Sequence, residues 1–136
     1  MIHFNYENDF SLSNEGRLST WLISVISAEN CSISEINYIF CDDDYLHKLN
    51  VEFLEHDTLT DVIGFDYSVG KQLEGDIFIS TERVADNAKD LEVSFNDELC
   101  RVMVHGLLHF CGYKDKTSEE AKEMRAKEDS YLKALV

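Results

Sequence analysis

Apolar residues recur along this chain at two periods, and the switches between them outline a run of strands and helices. Residues 3–8, His3 to Asn8, alternate loosely and predict a short strand. From about Glu15 to Glu29, Leu18, Trp21, Leu22, Val25 and Ile26 recur at helical spacing. Ile36, Tyr38 and Phe40 then alternate with Asn37, Ile39 and Cys41, a second strand. Asp42, Asp43 and Asp44 supply a cap and first-turn acids for a helix carrying Leu46, Leu49 and Phe53. Three adjacent aspartates can also bind a cation, but a helix start is their commoner meaning. Glu55 to Thr58 is a loop, Asp61 to Tyr67 a strand, Ser68 to Gln72 a turn and Leu73 to Ser80 a strand. The short connection predicts an antiparallel pair there. Ser80 or Thr81 caps a helix through Val84, Ala88 and Leu91. Ser94 and Asp97 open another that runs to about Cys111, and Thr117 and Glu120 form a capping box for a last helix reaching Leu135. Ala121, Met124, Tyr131 and Leu132 form its docking stripe.

This order predicts an α+β fold. Early crossovers give a small, mostly parallel sheet, and the later hairpin adds an antiparallel edge pair. At 136 residues, with no repeat and no Pro/Gly/Ser-rich linker, a single domain over 1–136 is expected. No segment approaches the ~20 apolar residues of a membrane span, and the first residues lack a basic start with an apolar run behind it. Cys31, Cys41, Cys100 and Cys111 are scattered, without a Cys-x-x-Cys. Free thiols in a reducing cytoplasm are the simplest account. Acids outnumber bases 27 to 12, a net charge of −15 that argues against loose binding to nucleic acid. Arg101, Lys114 and Lys116 are placed to form a local basic rim, or are ordinary solvated charges.

The chemistry concentrates in the run from His105 to Asp115. Four residues of helix turn through roughly 400° and rise about 6 Å, so His105 and His109 point the same way from adjacent turns. Such a pair offers two imidazoles to one ion, although histidines on an apolar helix can equally be satisfied by backbone or water. Gly112 lets the helix stop and reverse, which can return Asp115 as a third ligand. Two imidazoles, one carboxylate and an open fourth place make a catalytic zinc site, and nickel, iron and manganese take the same donors. In His-Glu-x-x-His proteases the position of Gly106 holds the general base, and glycine has no side chain for that work.

The same run resembles the signature of the YbeY family, His-Gly-x-Leu-His-Leu-x-Gly-Tyr-Asp-His, with Phe110, Lys114 and Asp115 as departures. Thr60-Asp61-Val62-Ile63-Gly64-Phe65 is similar to the family's Thr-Asp-Val-Leu-Ser-Phe, and Gly75-Asp76-Ile77 to its Gly-Asp-Ile. Leu49-Asn50 falls into register as well. The resemblance implies a zincin-like, YbeY-like hydrolase domain with one zinc ion per chain on His105, His109 and Asp115. It implies a metal-dependent, single-strand-specific endoribonuclease acting in ribosomal RNA maturation at the small-subunit 3′ end. The implied partners are ribosomal RNA, the small ribosomal subunit, ribosomal proteins and a ribosome-assembly GTPase, in the cytoplasm, with neither membrane nor DNA.

Asp61 is a proton-transfer candidate by its motif and because strand ends often face a site. Capping a loop is the more common role for such a residue. His56 is a second candidate, with a titration range suited to the task, though it stands in an acidic loop where surface histidines are common. The family's phosphate-contacting arginine aligns with Leu54, and its flanking prolines with Leu59 and Asp66. Either another base, Arg101 or Lys114, supplies that charge or the activity differs. A metalloprotease-like hydrolase and a non-catalytic assembly factor with a structural metal are the competing readings.

Overall fold

The computed structural model describes residues 1–54 and 60–135. The loop expected at 55–58, with His56, and the position of Leu59 lie outside the described residues. The elements follow the order β1 (Ile2–Tyr6), α1 (Glu15–Ala28), β2 (Ser32–Cys41), α2 (Asp43–Leu54), β3 (Val62–Asp66), β4 (Gln72–Ser80), α3 (Thr81–Leu91), α4 (Phe95–Phe110) and α5 (Ser118–Leu135). The sheet order is β1-β2-β4-β3. β1 pairs parallel with β2, β2 parallel with β4, and β3 antiparallel with β4. The α+β fold with a mostly parallel sheet and one antiparallel edge pair is the one the pattern predicts.

The caps follow the chemistry of their residues. Tyr45 N–H donates to Asp42 Oδ1 at 2.9 Å, Arg83 N–H to Ser80 Oγ at 3.1 Å and Asp97 N–H to Ser94 Oγ at 3.1 Å. The Thr117–Glu120 box is reciprocal, at 3.0 and 3.1 Å. All four cysteines are free, with Cys41 and Cys100 buried and Cys31 and Cys111 half-buried.

Three local expectations are corrected. β2 begins at Ser32 rather than near Ile36, because the register shifts between Ile33 and Ile36. That extra residue breaks the two-residue alternation by which a strand is read. On α2 the buried residues are Leu46 and Asn50, whereas Phe53 is 58% exposed and meets the Phe65 ring edge-on. On α5, Ala121 is exposed, and Glu128 joins Met124 as a buried residue. A carboxylate on a docking stripe is invisible to a search for apolar periodicity.

The core lies between the sheet and the layer of α1 and α4. Tyr38, Phe40, Ile77 and Ile79 are fully buried, as are Met103, Val104, Leu107 and Leu108 of α4. Tyr38 Oη donates to Met103 O at 2.8 Å and so ties β2 to α4. Gly106 faces the sheet: a methyl group there would meet Ile77 Cγ2 at 3.1 Å. Its small size lets α4 lie close on β4, and this fixes the height at which the adjoining His105 leaves the helix.

Candidate metal centre

His105 and His109 project from neighbouring turns of α4, their ring centroids 4.7 Å apart and nearly perpendicular. The helix ends at Cys111, and Gly112 takes φ +108°, a conformation that disfavours any side chain. Gly112 N–H donates to His109 O at 3.0 Å and Tyr113 N–H to Leu108 O at 3.1 Å. These bonds close the last turn and reverse the chain. The reversal brings Asp115 back over the helix. Its Oδ2 lies 3.2 Å from His105 Nε2 and 3.3 Å from His109 Nε2, and the two Nε2 atoms are 3.1 Å apart.

The outer ring nitrogens set what those inner atoms are. His109 Nδ1 is 3.0 Å from the Tyr113 carbonyl, which only accepts, so Nδ1 carries the proton. His105 Nδ1 lies 2.6 Å from Glu128 Oε2. Burial works to raise the Glu128 carboxyl, but His105 and Arg101 hold it below the usual glutamate range, so it accepts from His105. With Nδ1 carrying a proton, each ring in its neutral form would turn a bare lone pair toward the other and toward a carboxylate. Three electron-rich atoms this close repel unless a cation or protons stand among them. Burial works to lower the His105 ring, yet Glu128, Asp115 and Asp61 hold it above the ordinary histidine value. A tetrahedral ion with bonds of about 2.0–2.1 Å needs ligand atoms about 3.3 Å apart. The three observed separations fit that requirement, and among the described residues no other such group of ligating side chains comes together.

A cavity of about 330 Å³ opens beside this triad, with Asp61, Glu98, Arg101, His105, Asp115 and Glu128 among its lining residues. Asp61 stands at the entry to β3 and accepts from Asn87 Nδ2 at 3.2 Å. Burial pushes its carboxyl above the usual aspartate range, against smaller opposing effects of backbone amides, His105 and Asn87. Arg101 reaches the cavity but is occupied: Nη1 lies 2.8 Å from Glu128 and Nη2 2.7 Å from Asp129. Lys114, Lys116 and Leu54 are exposed, and none of the three is among the residues lining the cavity.

Two residues of the site escaped sequence reading. Glu128, 4% exposed, joins His105 to Arg101 from a position 23 residues beyond the first histidine. Glu29, at the end of α1, accepts from Tyr113 Oη at 2.7 Å, from Tyr131 Oη and from Lys127 Nζ at 3.4 Å. It thereby pins the turn that carries Asp115 to both α1 and α5. Capping boxes and periodicity carry no trace of either role, since each depends on helices meeting at long range.

The Glu29 clamp is a charge effect and predicts a pH dependence. Burial works to raise its carboxyl, but Tyr131, Tyr113 and Lys127 hold it below the usual glutamate range. A carboxyl lowered on folding stabilises the fold above its unfolded pKa, and the contribution is lost as pH falls through the folded value. Glu29→Gln is expected to lower the unfolding free energy by about 2 kcal/mol near neutral pH. The gap to the parent protein should narrow on going below about pH 4. Denaturant melts at several pH values test this; a gap constant across the range would refute a charge-based clamp.

The profile of the family described as Endoribonuclease YbeY matches residues 3–136. A protein of that description from Flavobacterium johnsoniae is 63% identical over 97% of this chain and 95% of its own. Another, from Amoebophilus asiaticus, is 47% identical over 98% of this chain and 92% of its own. The solution structure of TM1509 from Thermotoga maritima is similar with a TM-score of 0.74 at 29% identity, over 99% of this chain and 89% of that one. Each likeness runs nearly end to end, so it concerns the whole fold and not the histidine motif alone.

Proposed function

The chain belongs to the YbeY endoribonuclease family, and from that premise we propose that it is a metal-dependent, single-strand-specific endoribonuclease of ribosomal RNA maturation, acting at the small-subunit 3′ end. The convergence of His105 Nε2, His109 Nε2 and Asp115 Oδ2 at 3.1–3.3 Å carries the reading. These atoms would hold one divalent ion, zinc by their donor chemistry. When bound, the ion supplies Lewis acidity to a phosphodiester and to water.

The protein's own residues do the rest. Glu128 and the Tyr113 carbonyl hold the two rings in the tautomer that turns Nε2 inward. Arg101 acts through Glu128 as a positioning residue, because both ends of its guanidinium are engaged. Asp61 supplies a carboxyl in the same cavity, raised by burial toward a range useful for proton transfer. Position 106 faces Ile77, and a glycine there supports no protease-type base. The working partners are ribosomal RNA, the small subunit, its proteins and an assembly GTPase, in the cytoplasm. No helix among the described residues is long and apolar enough to cross a membrane.

The experiment compares zinc-loaded and chelated protein on single-stranded ribosomal RNA, on the same RNA annealed to its complement, and on casein. Cleavage of the single strand alone, lost on chelation and restored by zinc, is expected. Casein cleavage would favour a protease, and intact RNA with retained binding to small subunits would favour a non-catalytic assembly factor; either outcome rejects the reading.

A further inference from the structure

Two side chains in the cavity beside the triad form no hydrogen bond or ion pair among the described residues. Glu98 is only 6% exposed, lines the cavity, and its carboxyl forms no hydrogen bond or ion pair among the described residues. Arg125 stands exposed at the cavity's edge and is likewise without an ion pair or hydrogen bond among the described residues. Both are unusual. The Glu98 residue is enclosed, and its carboxyl looks onto the cavity with no protein donor on it among the described residues. An unpaired guanidinium is equally unexpected in a chain with 27 acids and 12 bases.

The surroundings narrow what Glu98 can be waiting for. Neither nearby guanidinium is bonded to it: Arg101 is engaged by Glu128 and Asp129, and Arg125, whose charge acts on Glu98 across the cavity, makes no ion pair with it. A dedicated cation site is disfavoured: among the described residues, the one group of three ligating side chains within reach of each other is His105, His109 and Asp115. What remains is N–H or O–H donors that enter through the cavity, solvent's in the free protein and a ligand's when one is bound. Among the charged lining residues, Val62, Val102 and Met124 add apolar surface, which suits a flat ring rather than a bare hydroxyl. Among the bases, guanine alone sets two donors, N1–H and the 2-amino group, side by side to match both oxygens of one carboxylate. Uracil presents a single N–H between two carbonyl oxygens, which a carboxylate repels.

We propose that this cavity is a nucleotide subsite, in which Arg125 holds a phosphate beside the metal ligands and the Glu98 carboxylate accepts from the edge of the adjoining base, with guanine preferred. It rests on the reading of the protein as an RNA-cleaving enzyme, and gives that enzyme a base preference. It also assigns the phosphate contact, for which Leu54 is unsuited, to a guanidinium free to make it. A larger hollow of about 840 Å³ shares Glu98, Arg101 and Arg125 with this cavity and continues past Arg17 and Lys133. A strand longer than one nucleotide has room to run on there.

Calorimetric titration of the zinc-loaded full chain with GMP, UMP and dGMP tests the subsite without reference to cleavage. GMP and dGMP are expected to bind about tenfold more tightly than UMP. Glu98→Gln should abolish that difference while leaving UMP nearly unchanged, and Arg125→Gln should weaken all three about tenfold. Equal binding of GMP and UMP by the unmutated protein overturns the proposal whether or not the variants fold. Binding of dGMP as weak as that of UMP would show the 2′-hydroxyl to be what is read, and would overturn it too. A change in magnesium or zinc stoichiometry in Glu98→Gln would reveal a cation site instead, again overturning it. A protein that prefers GMP yet leaves RNA intact refutes the proposed activity and not the subsite; one that cuts RNA without a GMP preference refutes only the subsite.

Discussion

Alanine at position 109 is expected to release the metal and to lower RNA cleavage by roughly a thousandfold or more. His109 supplies one of three inner atoms, and its loss leaves a pair, His105 Nε2 and Asp115 Oδ2, 3.2 Å apart. Removing a partner of a ligand costs about 10–100-fold in metal affinity, and removing the ligand itself costs more. The side chain is 36% exposed, so its truncation opens no core cavity and the sheet should survive. Elemental analysis after dialysis, set beside a circular dichroism spectrum, checks this. Full metal content in His109→Ala would place the ion elsewhere and undo the account of the centre.

Glu128→Ala should damage both the fold and the ion site. The carboxylate is buried and is held at 2.6 Å by His105 and 2.8 Å by Arg101. Its removal leaves the Arg101 guanidinium with Asp129 alone, at a protein edge where Asp129 is half exposed. Breaking a buried pair from one side costs about 3–5 kcal/mol. That is a large share of the roughly 5–15 kcal/mol that holds a typical domain. Glu128→Gln keeps the volume and one acceptor for His105 Nδ1–H, so about half that loss is expected. Zinc affinity should fall about 10–100-fold in the glutamine variant, because the His105 ring loses the charge that orients it. Competition with a chromogenic chelator reads the affinity, and urea melts read the stability. Parental zinc affinity in Glu128→Gln would reduce Glu128 to a fold residue.

Much of this protein is legible in order along the chain. The alternation at Ile36 to Cys41, the helical repeat from Leu18 to Ile26 and the caps at Ser80, Ser94 and Thr117 all correspond to elements found. They are local because their causes are local: a strand's period, a helix's period, and a hydroxyl within three residues of an unpaired amide. The misreadings fall where a distant element intervenes. The shift inside β2 answers to its register on β4, and Glu128 is tolerated in the packed face of α5 because Arg101 and His105 wait opposite. Arg101 was a candidate for contacting phosphate on position alone; in the fold its charge is already taken.

The sequence by itself determined the inner triad. His105 and His109 are one helical turn apart, and Gly112 permits the left-handed step that returns Asp115, so eleven consecutive residues suffice to bring three donors together. Only the tertiary structure decided what surrounds them. Glu128 and Arg125 come from α5, Asp61 from the entry to β3 and Glu29 from the end of α1, while Glu98 stands on α4 itself; what brings the first four to it is how α5, α1 and β3 pack around α4. Local geometry follows from backbone periodicity within a few residues, whereas the partners of a buried charge are chosen by packing between segments that no short-range rule connects.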